Sequence, residues 1–294
     1  MRIVRRVCKL CLSLVLMLSL LCASTGCSAM MDMMMGSKHD YIMVNSAEEL
    51  FVQFYDSVYR FEPTLYIKTS SYAAFNEYWD ELLDTFAIHN VFREQDGQIY
   101  YREVKDGCNI EFDIRYDTCG QALQYLVGGT VDSYPTPEAE KLGKKLVEIV
   151  KDITTDGMSD ADKAKKIHDY LITHGKYDVN GDIISCAKAE TLINNGAAQC
   201  QGYAEAFCAL CLVAGVQCRI ITGNSTFGYS EMGHAWCQVN IAGFWYHVDV
   251  TWDDPIPDVP GMICYDYFLK SDMSIQHTHS WCSYFEECIV DYRL

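Results

Sequence analysis

Cysteine, histidine and aspartate arrive in that order between Gly196 and Asp254, each in a setting that could present its side chain. Cys200 precedes an apolar stretch, and His234 stands in Gly233-His234-Ala235-Trp236. Asp249 lies within Trp245-Tyr246-His247-Val248-Asp249-Val250-Thr251-Trp252-Asp253-Asp254. A thiol, an imidazole and a carboxylate are the nucleophile, base and orienting group of thiolate acyl-transfer chemistry.

The elements that must position them can be read from local pattern. Asn194-Asn195-Gly196-Ala197 is a turn signal, Ala206 to Ala214 is an unbroken apolar run, and Gly215 is placed to end it, so a buried helix should begin near Cys200. A thiol on a first turn feels unpaired backbone N–H groups and the positive end of the helix dipole, which favour thiolate. The same N–H groups can stabilise an oxyanion. Gly202 allows close approach on the solvent side. Taken alone, Cys200 could equally be one more packed cysteine.

His234 to Val239 and Phe244 to Thr251 read as two strands around Asn240-Ile241-Ala242-Gly243. A four-residue loop, or a two-residue loop at Ile241-Ala242, places His234 directly opposite Asp249, with Cβ atoms about 5 Å apart. A two-residue loop at Ala242-Gly243 does not. A satisfied strand histidine and a solvated carboxylate are the plain alternatives for each residue alone.

Ala198-Gln199-Cys200-Gln201-Gly202-Tyr203-Ala204-Glu205-Ala206-Phe207, Gly233-His234-Ala235-Trp236 and Trp245 to Pro255 together resemble the transglutaminase-like superfamily, in particular its bacterial secreted branch. Ile167-His168-Asp169-Tyr170-Leu171, Tyr177-Asp178 and Tyr267-Phe268-Leu269-Lys270-Ser271-Asp272 extend the likeness over roughly residues 137–294. It implies an α+β fold with a papain-like core, a cysteine-bearing helix packed on an antiparallel sheet. It also implies catalytic roles for Cys200, His234 and Asp249, a thioester acyl-enzyme and no cofactor. Cys237 stands where relatives often have asparagine, a position read as structural. Gln199, Gln201, Tyr203 and Trp236 border the thiol and histidine and are candidates for substrate binding, with capping and packing roles the alternative.

At 294 residues the chain has room for two modest domains. Residues 1–27 read as an export signal: Arg2, Arg5, Arg6 and Lys9, then apolar Leu10 to Ala23, then Ser24-Thr25-Gly26-Cys27. The apolar stretch is shorter than the ~20 residues of a membrane span. Gly26-Cys27 resembles a lipobox with Cys27 as the lipid-modified residue, although Ser24 stands where leucine is usual. The expectation is a lipoprotein on the outer face of the cell membrane, with secretion as the alternative. Loss of residues 1–26 removes four basic and no acidic residues, taking the formal charge from −17 to −21. Such a surface argues against nucleic acid and against docking by charge on anionic membrane; a protein or peptide substrate at the cell surface is what the resemblance implies.

Residues 28–40, with Met-rich Met30 to Met35, read as a spacer, 41–128 as a small α+β domain, 129–137 as a linker and 138–294 as the transglutaminase-like domain. In the small domain Ser46 and Glu49 make a capping box before a helix to about Arg60. Thr64 to Lys68, Ile99 to Val104 and Asn109 to Tyr116 read as strands and Tyr72 to Phe86 as a helix. Further helices are expected over Glu138 to Ile153 and Ala161 to His174, with His168 packed beside the core.

Fifteen cysteines are unusual for an exported chain, and many sit in apolar runs as packed thiols. Cys208 and Cys211 form a CxxC whose redox or metal role lacks companion ligands. His277 and His279 form an HxH read as a surface loop, and Asp253, Asp254 and Asp258 a turn whose spacing is unlike a calcium loop. The sequence thus points to cysteine-dependent acyl transfer or hydrolysis on peptide-type amides. The alternative is a non-enzymatic cell-surface binding module that retains the fold.

Overall fold

The computed structural model describes residues 39–84, 92, 97–182, 185–227, 230–259 and 261–293. The segment read as an export signal, Cys27 and the Met-rich stretch Met30 to Met35 lie outside the described residues. Two sheets and the helices around them make up the unit Ile42–Leu294. No helix among the described residues is long and apolar enough to cross a membrane.

The first sheet has the order β1-β2-β4-β3, from β1 Ile42–Met43, β2 Thr64–Thr69, β3 Gln98–Val104 and β4 Gly107–Asp113. Its helices are α1 Ala47–Tyr59 and α2 Tyr72–Asp84. Ser46 caps α1 by accepting from the Glu49 N–H, as its spacing to Glu49 predicts. Phe54, Phe75, Trp79 and Phe112 pack between helices and sheet with ring centroids 5.2–6.0 Å apart. The other face of α1 turns to the second sheet: the Tyr55 hydroxyl donates to the Ile220 carbonyl, and the Ile220 N–H donates to the Tyr59 hydroxyl.

Helix α3 Thr118–Leu123 follows, capped by Asp117, and runs into a π turn at Gln124–Gly128. Then come α4 Pro137–Ile153, α5 Asp160–His174, α6 Ala189–Asn195 and α7 Cys200–Val213. Thr136 and Ser159 cap α4 and α5. Gly196, at φ +68°, ends α6 and turns the chain towards Cys200.

The second sheet is antiparallel throughout, in the order β8-β7-β6-β5-β9. Its strands are β5 Cys218–Phe227, β6 Ser230–Ile241, β7 Phe244–Val248, β8 Phe268–Lys270 and β9 His279–Trp281. Short helices α8 Val250–Asp253 and α9 Asp272–Ile275 follow β7 and β8. Helix α7 lies on β5 and β6, and Ala206 to Cys211 are wholly buried. Burying a side chain such as Phe207 or Leu210 is worth about 1.5–3 kcal/mol, so the element carrying Cys200 is anchored along its length. This is the expected α+β architecture, a cysteine-bearing helix on an antiparallel sheet.

Gly202 differs from expectation: it is buried, and a Cβ there would press on Ala198 Cβ and the Cys186 carbonyl oxygen at 2.8 Å. Its missing side chain seats the helix start against residues 186–188, not against solvent. Cys208 and Cys211 are free and fully buried, which removes the redox reading of that CxxC.

Candidate active site

Cys200 is the first residue of α7, and Gln199 before it supplies no side-chain cap. The first-turn N–H groups therefore face the thiol's side of the helix without a side-chain acceptor from the capping residue. The Gln199 amide instead reaches the Asp178 and Gly181 carbonyls at 3.3 Å. A bridge between Tyr177 and Ala198, with Asp178 N–H donating to Ala198 O at 2.9 Å, holds the entry to the helix.

The hairpin does not have the expected register. Its loop is Ala242-Gly243, with Ala242 at φ +54° and Gly243 at +91°, and Ile241 pairs with Phe244. Cys237 then pairs with Val248, the last residue of β7, so His234 and Asp249 are not cross-strand partners. They meet all the same, His234 Nε2 lying 2.6 Å from Asp249 Oδ2. Asp249 has left the strand to cap α8, its Oδ1 accepting from the N–H groups of Thr251 at 3.0 Å and Trp252 at 3.2 Å. Leaving the ladder aims the carboxylate back across the sheet face at His234.

The turn is held from below. His168 on α5 is fully buried, with Nδ1 3.1 Å from Asp169 Oδ1 and Nε2 3.1 Å from Asp253 Oδ2. Burial works against its charge, but hydrogen bonds to two carboxylates outweigh that and raise its pKa. Asp253 also accepts from Tyr267 N–H at 3.0 Å, and Asp254 accepts from the buried Tyr203 hydroxyl. Asp253 and Asp254, expected in a turn after the strand, are internal props for the segment that carries Asp249.

Electrostatics separate the three site residues from other ionisable groups. Burial opposes charge on Cys200, yet the hydrogen bond and charge of His234 and the Ala235 N–H bring its pKa below the usual thiol value. Burial likewise opposes charge on His234, and the charge and hydrogen bond of Asp249 override it, raising His234 to about 10. Asp249 is buried, but His234 and His279 hold it far below the ordinary carboxylate range. With Nε2 on the carboxylate, Nδ1 is the nitrogen of His234 left for the thiol.

His279, expected on a surface loop, is instead buried on β9 with Nε2 3.0 Å from Asp249 Oδ2. Tyr177 is a second group that pattern reading left unassigned: burial, then the charges of Cys200 and Asp249, raise its pKa. Trp236 and Tyr203, expected to touch substrate, are buried, because their polar atoms are spent inside: Trp236 Nε1 donates to His247 Nδ1 at 3.0 Å, Tyr203 to Asp254. Gln199 and Gln201 remain half-buried beside the thiol, and Gln201 Nε2 donates to Glu205 at 3.1 Å.

Potential metal-ligating atoms come within 4.8 Å of one another at two places among the described residues. One is His234, Asp249 and His279, where the 2.6 and 3.0 Å spacings are those of ring N–H groups donating to a carboxylate. The other is His247, Asp272 and Cys288. There the Trp236 indole donates into Nδ1 of His247, so the ring's proton sits on Nε2, facing Asp272 Oδ1 at 2.8 Å. Burial and the Asp272 charge push the Cys288 thiol up and burial pushes His247 down, the reverse of the Cys200–His234 pattern.

Residues 147–250, which include all three site residues, match the family model of the transglutaminase-like superfamily. Kyphoscoliosis peptidase of Mus musculus is 33% identical over 124 residues, 38% of this chain and 19% of that protein. The same-named protein of Homo sapiens is 30% identical over 139 residues, 44% of this chain and 21% of that one. The matched part spans about a fifth of these curated relatives. A crystal structure of a TGase aligns with 64% of this chain and 51% of its own at 14% identity, with a TM-score of 0.35.

Proposed function

We propose, for a chain whose segment 147–250 is transglutaminase-like, that Cys200, His234 and Asp249 perform cysteine-dependent acyl transfer or hydrolysis on peptide-type amides. The observation that carries the reading is His234, 2.6 Å from a buried carboxylate through Nε2 and hydrogen-bonded to a thiol at a helix start.

The Cys200 thiolate attacks the amide carbonyl, and first-turn N–H groups of α7 receive the developing oxyanion. His234, holding the thiol's proton, delivers it to the departing amine as the C–N bond breaks, leaving a thioester on Cys200. Water or a second amine then adds to the thioester, with His234 taking its proton and returning it to the thiolate as the C–S bond breaks. Asp249 keeps the imidazole oriented and its charge balanced throughout. We place this reaction outside the cell membrane, with Cys27 as a lipid anchor and surface protein or peptide as substrate. The kyphoscoliosis relatives are named peptidases, which supports hydrolysis as one outcome.

The test is p-nitrophenyl acetate, read as a nitrophenolate burst and by peptide mass spectrometry. One acetyl group on Cys200 is expected, absent from Cys200→Ala and slow in His234→Ala. Acceleration of its release by glycinamide would assign transfer to amines, and no acceleration would assign hydrolysis. A burst that survives in Cys200→Ala, or no burst in the wild type, refutes the proposal and returns the chain to the binding-module alternative.

A further inference from the structure

We infer that His279 is a positioning residue of this triad, donating from Nε2 to the same oxygen of Asp249 that receives His234, and so dividing the pull of that carboxylate between two imidazoles. The inference rests on the acyl-transfer reading above.

Asp249 is buried and its donors can be enumerated. Oδ1 takes the N–H groups of Thr251 and Trp252, and Oδ2 takes His234 at 2.6 Å and His279 at 3.0 Å. Each carboxylate oxygen has about two lone-pair directions, so the four donors use the acceptor capacity of the group. Thr278 Oγ1 lies 2.9 Å from Nδ1 of His279, and the carboxylate facing Nε2, which can only accept, requires a ring proton there. The rings of Trp236, Trp252 and Tyr267 surround the imidazole at 4.9–5.4 Å between centroids. Such an aromatic, low-dielectric cage leaves Asp249 as the group on which the His279 Nε2–H acts.

The fold brings the residue there by a dedicated route. Strand β9 has three residues and pairs with β5 so that Ser225 faces His279 and Gly223 faces Trp281. A Cβ on Gly223 would overlap the Ser280 carbonyl oxygen, so glycine is what lets β9 close on the sheet. In the next register Gly223 also faces His234, so no side chain stands between the two imidazole-bearing strands at that level.

Sharing has a definite electrostatic sign. With two donors on Oδ2, His234 receives only part of the charge that would otherwise hold its proton. Removing the His279 donor should concentrate that charge on His234, favour the thiolate–imidazolium pair and move thiolate formation to lower pH. It should also free the carboxylate to turn and so slow the chemistry. The other titratable groups facing this cluster are Cys200 on α7, Tyr177 beside Ala198, His247 on β7, Asp253 on α8 and Tyr267 before β8. Simple loosening of the packing would do the opposite, returning Cys200 towards an ordinary thiol near pH 8.5.

The experiment is the pH profile of the p-nitrophenyl acetate burst in wild type, His279→Gln, His279→Phe and His279→Leu, with thermal melts of each. Glutamine keeps an N–H near the position of Nε2, whereas phenylalanine and leucine do not. Glutamine is expected to track the wild type within about threefold with an unmoved acid limb. The donor-free variants are expected to lose about tenfold of the plateau rate, with the acid limb about half a pH unit or more lower. An unmoved limb, a limb displaced upward, or a glutamine variant that behaves like the donor-free ones overturns the inference. So does loss of cooperative melting in both donor-free variants, which would assign His279 to the core. A wild type without a Cys200-dependent burst fails the underlying reading instead, and is recognised before any variant is compared.

Discussion

Replacing Asp249 by asparagine keeps the shape of the side chain and removes its charge. The Asn Oδ1 can still accept from the Thr251 and Trp252 N–H groups that now bind Asp249 Oδ1. The Nδ2 group would then face two ring N–H donors, from His234 and His279, where an acceptor stood. To relieve that clash His234 must shift its proton to Nδ1, the nitrogen that serves the thiol, and it ceases to be a base. The charge is the larger effect. Burial opposes charge on His234, yet the charge and hydrogen bond of Asp249, with Cys200 beside them, raise it from an ordinary 6.5 to about 10. Without Asp249 burial is opposed only by Cys200, and His234 loses the charge that chiefly keeps it protonated. Cys200 then returns to the ordinary thiol value of about 8.5 or above, so at pH 6 its thiolate fraction is about 0.3% or less. Iodoacetamide labelling of Cys200, followed by peptide mass spectrometry from pH 5 to 10, should fall steeply at pH 6 and much less near pH 9.5. Stability carries the same signature. The raised His234 contributes fully below about pH 6.5, a contribution lost as pH rises through about 10. The depressed Asp249 contributes above about pH 3.9, a contribution lost as pH falls. The gap in urea midpoint between wild type and Asp249→Asn should therefore be widest between about pH 4 and 6.5 and should shrink towards pH 10. A folded variant that labels at pH 6 within about threefold of the wild type would refute this account of the thiolate.

Gly223→Ala should lift β9 off β5 because the new Cβ overlaps the Ser280 carbonyl, costing about 1–3 kcal/mol in a urea titration and slowing the acetate burst. An alanine variant with unchanged midpoint and burst would show that β9 tolerates displacement. Of the thiols, Cys208 and Cys211 should resist Ellman's reagent until the protein unfolds, whereas half-buried Cys200 should react in the native state, and faster than Cys264 and Cys282 below pH 7. Mass mapping of the modified peptides reads this directly, and native modification of Cys208 would contradict the packing of α7. Cys27→Ala should abolish incorporation of labelled palmitate in a bacterial host, and incorporation that persists would remove the lipid anchor.

What could be read from the chain alone was local. The apolar run from Ala206 and the turn before it located α7 and put Cys200 on its first turn, because helix starts and stops are written in a few neighbouring residues. The cap at Ser46 and strands β2, β3 and β4 are short-range in the same sense. The types and order of Cys200, His234 and Asp249 pointed to thiolate chemistry. Their meeting was a tertiary decision. The register of the hairpin, carried on, would set His234 opposite Thr251, and the contact exists because Asp249 breaks from β7 to cap α8 while His168 and Asp253 pin that turn. Side-chain alternation cannot report such an exit from the strand, since the residues that hold it lie some eighty positions upstream. His279 is the same lesson at the other end of the chain. An HxH between polar neighbours looks solvated until β9 is paired through Gly223, and only then does the imidazole reach the carboxylate. Burial likewise turned Tyr203 and Trp236 from surface candidates into internal donors, because a long-range partner was waiting for each polar atom. Sequence determined the parts and their reactivity. Strand pairing and burial decided which of them share a proton.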